Sequence, residues 1–252
     1  MEILVSESSG VRYLHFGSHW IQGAMRVARP WALELDYTRE MMAALLLRPD
    51  TDWPRAVLLI GLGAGSLTKF LHRHRPTAQL TVVEIDAEVV DVARQHFKLP
   101  AEDERLEIII DDGASWLAGP QAGKRRFDLI LVDGFDENAR TGLLDSLPFY
   151  LNCKARLSSA GLLVTNLLSK RKGVKKSLER IEEAFDGRSL AFPSCDSGNV
   201  VAFAATGAPV DHGMGELKAA ARSLKADTDL NLLPTISRLE HSNRCPAGIL
   251  RF

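Results

Sequence analysis

Val57-Leu-Leu-Ile-Gly-Leu-Gly-Ala-Gly65 is an apolar run that breaks into glycines. This pattern predicts a buried strand that turns tightly into a helix, and such a turn lets the backbone approach a ligand closely. Nineteen residues later, Glu84 ends a second apolar run, Leu80-Thr-Val-Val-Glu84. An acid at the end of the next strand can bind both hydroxyls of a ribose. We therefore predict a nucleoside-bearing cofactor; the alternative is a tight strand-to-helix turn without a ligand.

The spacing of the glycines narrows the choice of cofactor. Dinucleotide-binding enzymes use G-x-G-x-x-G, in which the pyrophosphate lies at the N-terminus of the helix. Here the order is Gly61, Gly63 and Gly65, and Ser66 stands where the last glycine of that motif would be. A G-x-G-x-G turn fits a nucleoside with an amino-acid-like tail, as in S-adenosylmethionine.

Composition indicates a soluble globular enzyme. The chain has 252 residues, of which 46% are hydrophobic and 25% charged, with a net charge of -1. A nearly neutral chain gives no reason to expect a nucleic-acid or membrane partner. No apolar run reaches the ~18 residues of a membrane span, and residues 1–30 carry acids and glycine rather than the basic start and apolar core of a secretory signal. The three cysteines, Cys153, Cys195 and Cys245, lack metal-ligand spacing. We expect a cytoplasmic, reduced protein without a metal.

Hydrophobic periodicity predicts an α/β fold. Residues 2–22 are predicted to form short strands, and residues 33–47 a helix. From residue 57 onward, apolar strands alternate with helical patterns, which predicts a doubly wound, mostly parallel sheet with helices on both faces. The predicted domains are a short N-terminal β element (1–31), a catalytic domain (32–210) and a helical C-terminal extension (211–252). The predicted strands are 57–60, 80–84, 106–110, 127–133, 161–166, 189–193 and 199–205, and the predicted helices are 65–74, 87–97, 114–118, 147–156 and 173–185.

Polar residues follow the ends of the predicted parallel strands, where ligands of such sheets bind. Asp112, with Gly113, follows the third of these strands and could accept a hydrogen bond from an adenine amino group. The alternative is an N-cap for the following helix, a role that Asp111 could also fill. Asn166 ends a later strand.

Asp133-Gly-Phe-Asp136 carries the most reactive chemistry. Asp133 ends a buried strand, and a second carboxylate three residues later could bind the same cation. Two carboxylates would attract the ammonium groups of a polyamine. One of them, with a suitable pKa, could take the proton that an amine must lose before it attacks carbon. Alternatively, Asp136 merely begins a polar loop.

These motifs together resemble the spermidine synthases, or polyamine aminopropyltransferases, which have the class I methyltransferase-like Rossmann fold. The resemblance runs from about residue 2 to residue 205. In its N-terminal part, the family has a typical series of Glu-Ser, Gly, Leu and Gln, followed by a helix that starts with Y-(H/Q)-E-M. The helix start of this chain has one residue more than that motif. The corresponding segments here are Glu7-Ser8, Gly10, Leu14, Gln22, Tyr37-Thr-Arg-Glu40-Met41, Glu84-Ile85-Asp86, Asp111-Asp112-Gly113 and Asp133-Gly-Phe-Asp136.

The resemblance implies a role for each matching residue. Asp133 would deprotonate the attacking amine, and Asp136 and Tyr37 would bind that substrate. Decarboxylated S-adenosylmethionine, or S-adenosylmethionine itself, would be the co-substrate, and the resemblance implies an oligomer, either a homodimer or a tetramer. The implied cofactor-binding residues are Gln22, Gly61, Gly63, Gly65, Glu84, Ile85, Asp112 and Gly113.

The chain also departs from the family pattern. Ala64 stands where the family has an aspartate that faces the cationic aminopropyl tail, so we expect weaker discrimination against ordinary S-adenosylmethionine. The family's P-x-G-P-A stretch is replaced by residues 137–142, its strand-end glutamine by Asn166, and its W-x-F by Val201-Ala-Phe203. Three hypotheses follow: aminopropyl transfer to a polyamine, methyl transfer to an unknown acceptor, and a catalytically silent nucleoside-binding relative.

Overall fold

The computed structural model describes residues 2–17, 20–135, 141–168, 173–195, 198–242 and 244–252. It begins with a small antiparallel sheet made of β1 (Ile3–Ser8), β2 (Val11–Phe16) and β3 (Ile21–Arg26). The sequence predicts the first two strands but not the full length of β3. Its Ile-Gln-Gly-Ala-Met-Arg segment lacks strand periodicity, and its extended form comes from pairing with β2.

The central sheet has the predicted doubly wound, mostly parallel architecture. Its strands, in spatial order, are β6, β5, β4, β7, β8, β10 and β9. The first five run parallel, and β10 is antiparallel to both β8 and β9. The bounds are β4 Ala56–Ile60, β5 Gln79–Glu84, β6 Leu106–Ile110, β7 Phe127–Val132, β8 Leu157–Leu168, β9 Ser189–Ala191 and β10 Asn199–Ala205.

Both faces of this sheet are buried, which is why its strands are apolar throughout rather than alternating. Val57 and Leu59 of β4 belong to the core on one face, and Leu58 and Ile60 to the core on the other. Helices α1 to α4, α8 and α9 contribute to the first core, and α5 to α7 to the second. Their bounds are α1 Asp36–Met41, α2 Ala44–Leu47, α3 Ser66–His74, α4 Ala87–His96, α5 Gly113–Ala118, α6 Leu147–Arg156, α7 Val174–Ala184, α8 Met214–Thr228 and α9 Leu233–Glu240.

The prediction of one helix over residues 33–47 is wrong. The structure has two short helices, α1 and α2, separated at Met42 and Ala43. The amides of these two residues donate to Arg39 O and Glu40 O, so the chain makes three-residue turns at this point. Such tight turns end a regular α-helix although residues 41–47 are all Met, Ala or Leu, which favour helix formation.

The N-terminal sheet packs against the glycine turn and α4. Leu14, Met25 and Ala64 share a small apolar core with Val89 and Phe97. The sheet therefore forms one wall beside the carboxyl end of β4.

Residues 211–252 form helices α8 and α9 and a two-stranded sheet, β11 (Asp211–Gly213) and β12 (Ile249–Arg251). Leu217, Leu224, Ile236 and Leu239 of this segment lie in the same core as the main sheet. The domain limits given above remain predictions. No helix in the described part of the chain is long and apolar enough to cross a membrane.

Candidate active site

A cavity of about 680 Å³ lies at the carboxyl ends of the parallel strands. It is centred where the strand order reverses between β4 and β7, which is the usual ligand position in open α/β sheets. Gly65 lies at the start of α3 and is not part of the wall, and Asp136 lies outside the described residues. The predicted site residues that line the cavity are Gln22, Tyr37, Gly61, Gly63, Glu84, Ile85, Asp112, Gly113 and Asp133.

The turn after β4 needs glycine for two reasons. Gly61 has φ +92°, a conformation that side chains rarely tolerate. A Cβ atom on Gly61 would also lie 2.3 Å from the backbone oxygen of Asp133. The glycine therefore lets the end of β4 and the end of β7 run in contact, which brings the glycine turn and Asp133 to one cavity.

Glu84 ties the end of β5 to that turn. Its Oε2 accepts a hydrogen bond from the Leu62 amide (2.7 Å), and its Oε1 accepts one from the Asp86 amide (3.2 Å). Burial raises the pKa of Glu84, while these backbone hydrogen bonds act in the opposite direction. The carboxylate thus has a structural role besides its position on the cavity wall.

At the end of β6, the structure confirms the N-cap role of Asp112, and its adenine-binding role stays a prediction. Asp112 is the N-cap of α5, and its Oδ1 accepts a hydrogen bond from the Ser115 amide at 2.8 Å. The same residue lines the cavity. Gly113 beside it packs so closely on Ile60 that an added Cβ would lie 2.4 Å from Ile60 Cγ2.

Asp133 lies partly buried in the cavity wall and is held on both oxygens. Asn166 Nδ2 donates to Oδ1 at 2.9 Å, and the Tyr37 hydroxyl donates to Oδ2 at 3.1 Å. Burial raises the pKa of Asp133 above its ordinary value, and these two hydrogen bonds lower it in part. A fixed carboxylate with a raised pKa is suited to accept a proton.

Asn199 extends this arrangement, and the sequence analysis missed it. Its Nδ2 donates to Asn166 Oδ1 at 2.8 Å, which orients the Asn166 amide toward Asp133. Asn199 begins β10, the strand antiparallel to β8. The amino end of an antiparallel strand lies at the same sheet edge as the carboxyl ends of its parallel neighbours. A search of strand starts as well as strand ends would have found it.

Large apolar side chains surround the mouth of the cavity. Trp20 is 59% exposed, Leu143 65% and Ile85 69%, and all three line the cavity. Exposed apolar groups in a concave site mark a ligand-binding surface. The sequence analysis identified only Ile85 among them.

Ala64, the departure in the glycine turn, packs toward the N-terminal sheet. It is 2% exposed, and a Cβ atom on Gly23 would lie 2.5 Å from Ala64 Cβ. The close approach of β3 leaves space for a methyl group at this position. Ala64 also lines the cavity.

Three comparisons place the chain among known proteins. The family model described as "Spermine/spermidine synthase domain" matches residues 35–195. A polyamine aminopropyltransferase of Neisseria meningitidis is 36% identical over 243 residues, which are 96% of this chain and 90% of the relative.

Two solved structures share the fold. A probable spermidine synthase from Corynebacterium glutamicum has a TM-score of 0.70 and 21% identity, over 88% of this chain and 83% of that one. Human methyltransferase-like protein 13, solved in complex with SAH, has a TM-score of 0.69 and 24% identity. The match covers 78% of this chain and 93% of that one. Together with the glycine turn and the Asp133 arrangement at one cavity, the matches establish that this chain belongs to the spermine/spermidine synthase family and has the class I methyltransferase-like fold.

Proposed function

We propose that the protein is a polyamine aminopropyltransferase that uses decarboxylated S-adenosylmethionine as its co-substrate. The observation that carries this proposal is the position of Asp133. It stands next to the glycine turn, with both oxygens hydrogen-bonded, in a cavity that also contains the nucleoside-type residues. The 36% identity to a polyamine aminopropyltransferase over nearly the whole chain supports it.

The nucleoside would occupy the side of the cavity formed by β4, β5 and β6. Glu84 would bind the ribose, and Asp112 would accept from adenine while Ile85 covers the base. Gln22 and the glycine turn would contact the remainder of the cofactor. Because the turn is held by Glu84 through Leu62, the ribose site and the turn would be preformed together.

The amine would occupy the side formed by α1, β7 and β8. Its nitrogen attacks the methylene carbon next to the sulfonium, the new C–N bond forms as the C–S bond breaks, and methylthioadenosine leaves. The nitrogen loses one proton, which Asp133 accepts. Tyr37 and Asp136 would hold the amine. Catalysis would come from holding nitrogen, carbon and sulfur in line and from this proton transfer.

A second candidate function is methyl transfer from ordinary S-adenosylmethionine, and Ala64 favours it. With alanine at that position, no carboxylate of residue 64 repels the carboxylate of the ordinary cofactor. The acceptor would then be an unidentified group that reaches the same cavity.

A product assay by mass spectrometry separates these functions. Purified protein is mixed with a panel of diamines and triamines and with either the decarboxylated or the ordinary donor. Aminopropyl transfer predicts methylthioadenosine and a lengthened polyamine only with the decarboxylated donor. Tight binding of ordinary S-adenosylmethionine without any amine product would reject this proposal, and consumption of that donor with a methyl acceptor would then establish methyl transfer. Binding without turnover of either donor would point to a silent relative.

A further inference from the structure

An ion pair between a buried carboxylate and a partly exposed arginine connects the C-terminal segment to the helix that carries Tyr37. Glu40 lies three residues after Tyr37 on α1, and its side chain is 1% exposed. Arg238 of α9 donates from Nη2 to Glu40 Oε2. The two residues are 198 positions apart in the sequence, so this contact exists only in the folded chain.

Each member of the pair depends on the other. Glu40 Oε1 and Arg238 Nε are buried and have no hydrogen-bond partner within the described residues. A buried carboxylate is costly unless a cation compensates for it. Burial raises the pKa of Glu40 to about 7, even though Arg238 lowers it. The contact therefore restricts where α1 can sit relative to α9.

Helix α1 is short and is held by its tertiary contacts, among which the ion pair adds to the burial of Tyr37 and Met41 in the main core. It has six residues, and its N-cap makes no side-chain hydrogen bond. A helix this short does not hold its own position and relies on tertiary contacts. One of its ends reaches the site, where the Tyr37 hydroxyl donates to Asp133, and the other end meets α9. Helix α9 is in turn fixed in the main core by Ile236 and Leu239.

We propose that Arg238 is a positioning residue for the amine side of the cavity: through Glu40 it holds α1 so that Tyr37 reaches Asp133. The C-terminal segment thereby contributes to substrate recognition without entering the site. The substrate part of this inference rests on the proposed aminopropyl transfer, but the positioning of Tyr37 does not.

The first test uses Arg238→Met with steady-state kinetics for both substrates. We expect KM for the amine to rise about tenfold, while KM for the nucleoside donor changes by less than about twofold. In Arg238→Lys, KM for the amine should stay close to the wild-type value. Lys218→Met is the matched control, because Lys218 also pairs with a carboxylate on α9, Glu240, but at the surface. It should leave both KM values unchanged. An equal rise in KM for the amine and for the nucleoside donor in Arg238→Met would overturn the inference.

A double variant separates positioning from stability. In Glu40→Met/Arg238→Met the ion pair is replaced by apolar groups, a change that often preserves or increases stability. We expect the melting temperature to return to the wild-type value while KM for the amine stays raised. Recovery of KM together with the melting temperature would reduce Arg238 to a structural residue. This variant also decides the matter if Arg238→Met alone does not fold.

A spectroscopic test needs no turnover. The chain has three tyrosines, so 3-fluorotyrosine labelling gives three ¹⁹F resonances, and Tyr37→Phe assigns one of them. The Tyr37 resonance should shift in Arg238→Met and stay in place in Lys218→Met. An unshifted resonance in Arg238→Met would overturn the inference even if the enzyme transfers aminopropyl groups. If no amine is turned over, the proposed function fails and this result still decides the role of Arg238.

Discussion

The two sides of the cavity are built in different ways. Apart from Gln22 on β3, the proposed nucleoside side consists of a glycine turn and two strand ends that follow one another within residues 61–113 and are held by short contacts such as Glu84 to Leu62. The proposed amine side brings together Tyr37, Asp133 and Asn166, and the bond between the first two spans 96 residues. Asn166 is a family departure on the second side, and Ala64 is one within the glycine turn of the first.

Replacing Asp133 should have the largest effect and should affect only the amine side. Asp133→Asn keeps the size of the side chain but removes the proton acceptor. We expect kcat to fall about 10²- to 10⁴-fold, with the Kd for methylthioadenosine changed by less than about twofold. Stopped-assay kinetics and calorimetry measure the two quantities. Asp91→Asn, at a side chain that is 65% exposed, is the control. Undiminished turnover would remove Asp133 from the mechanism.

The junction of the two sides is Gly61, and its replacement should damage both. In Gly61→Ala the new Cβ would meet the Asp133 carbonyl, so we expect a loss of about 3 kcal/mol or more in the free energy of unfolding, together with weaker nucleoside binding. Gly187→Ala is the control: its φ is +80° and nothing lies within 4 Å of its Cβ position. That variant should lose only about 1 kcal/mol from backbone strain. Urea denaturation compares the two, and equal losses would show that the close approach is unimportant.

The pH dependence of stability tests the state of Glu40, the α1 carboxylate that pairs with Arg238. The pKa of Glu40 is about 7 in the native state, against an ordinary value of 4.5. The unfolded chain therefore releases this proton first, and native stability is lost as the pH rises from about 4.5 through about 7, by up to about 3 kcal/mol. Glu40→Gln should flatten this decline.

Thermal unfolding between about pH 5 and about pH 8 measures the slope. Glu240→Gln is the control, since the pKa of Glu240 is lowered by Lys218 and its titration falls below this range. A wild-type slope in Glu40→Gln would contradict a buried, titrating Glu40.

The smallest effect is expected from replacing Asn166 or Asn199, whose side-chain amides form the hydrogen-bond chain that leads to Asp133. Asn166→Ala removes a hydrogen bond that stabilises the charged carboxylate, so the pKa of Asp133 should rise and the acidic limb of the pH–rate profile should move to higher pH. At neutral pH we expect a loss of about tenfold in kcat/KM. Asn199→Ala, one hydrogen bond further away, should move the limb in the same direction by less. If Asn199→Ala moved the acidic limb further than Asn166→Ala, Asn199 would not act on Asp133 through Asn166.

Much of the site could be predicted because its signals are local. The glycine turn, Glu84 and Asp112 each sit at the end of an apolar strand, and Asp133 does the same. The roles assigned to these residues remain predictions, whereas their convergence on one cavity is observed. Asn199 was missed because only strand ends were considered, and nothing in the sequence marks β10 as an antiparallel strand that starts at this edge of the sheet. The break between α1 and α2 was missed because the Met, Ala and Leu residues around it favour helix formation.

The sequence by itself determined the sheet, the turn that opens the cavity and the carboxylate at its centre, because strand periodicity and strand ends are written in consecutive residues. Tertiary structure alone decided what holds that carboxylate and the helix beside it. Tyr37, Asn166 and Asn199 meet around Asp133, and Arg238 meets Glu40, only after distant segments pack together. A hydrogen bond or an ion pair forms only when two groups lie about 3 Å apart in space. The number of residues between these groups in the sequence does not tell whether they come that close.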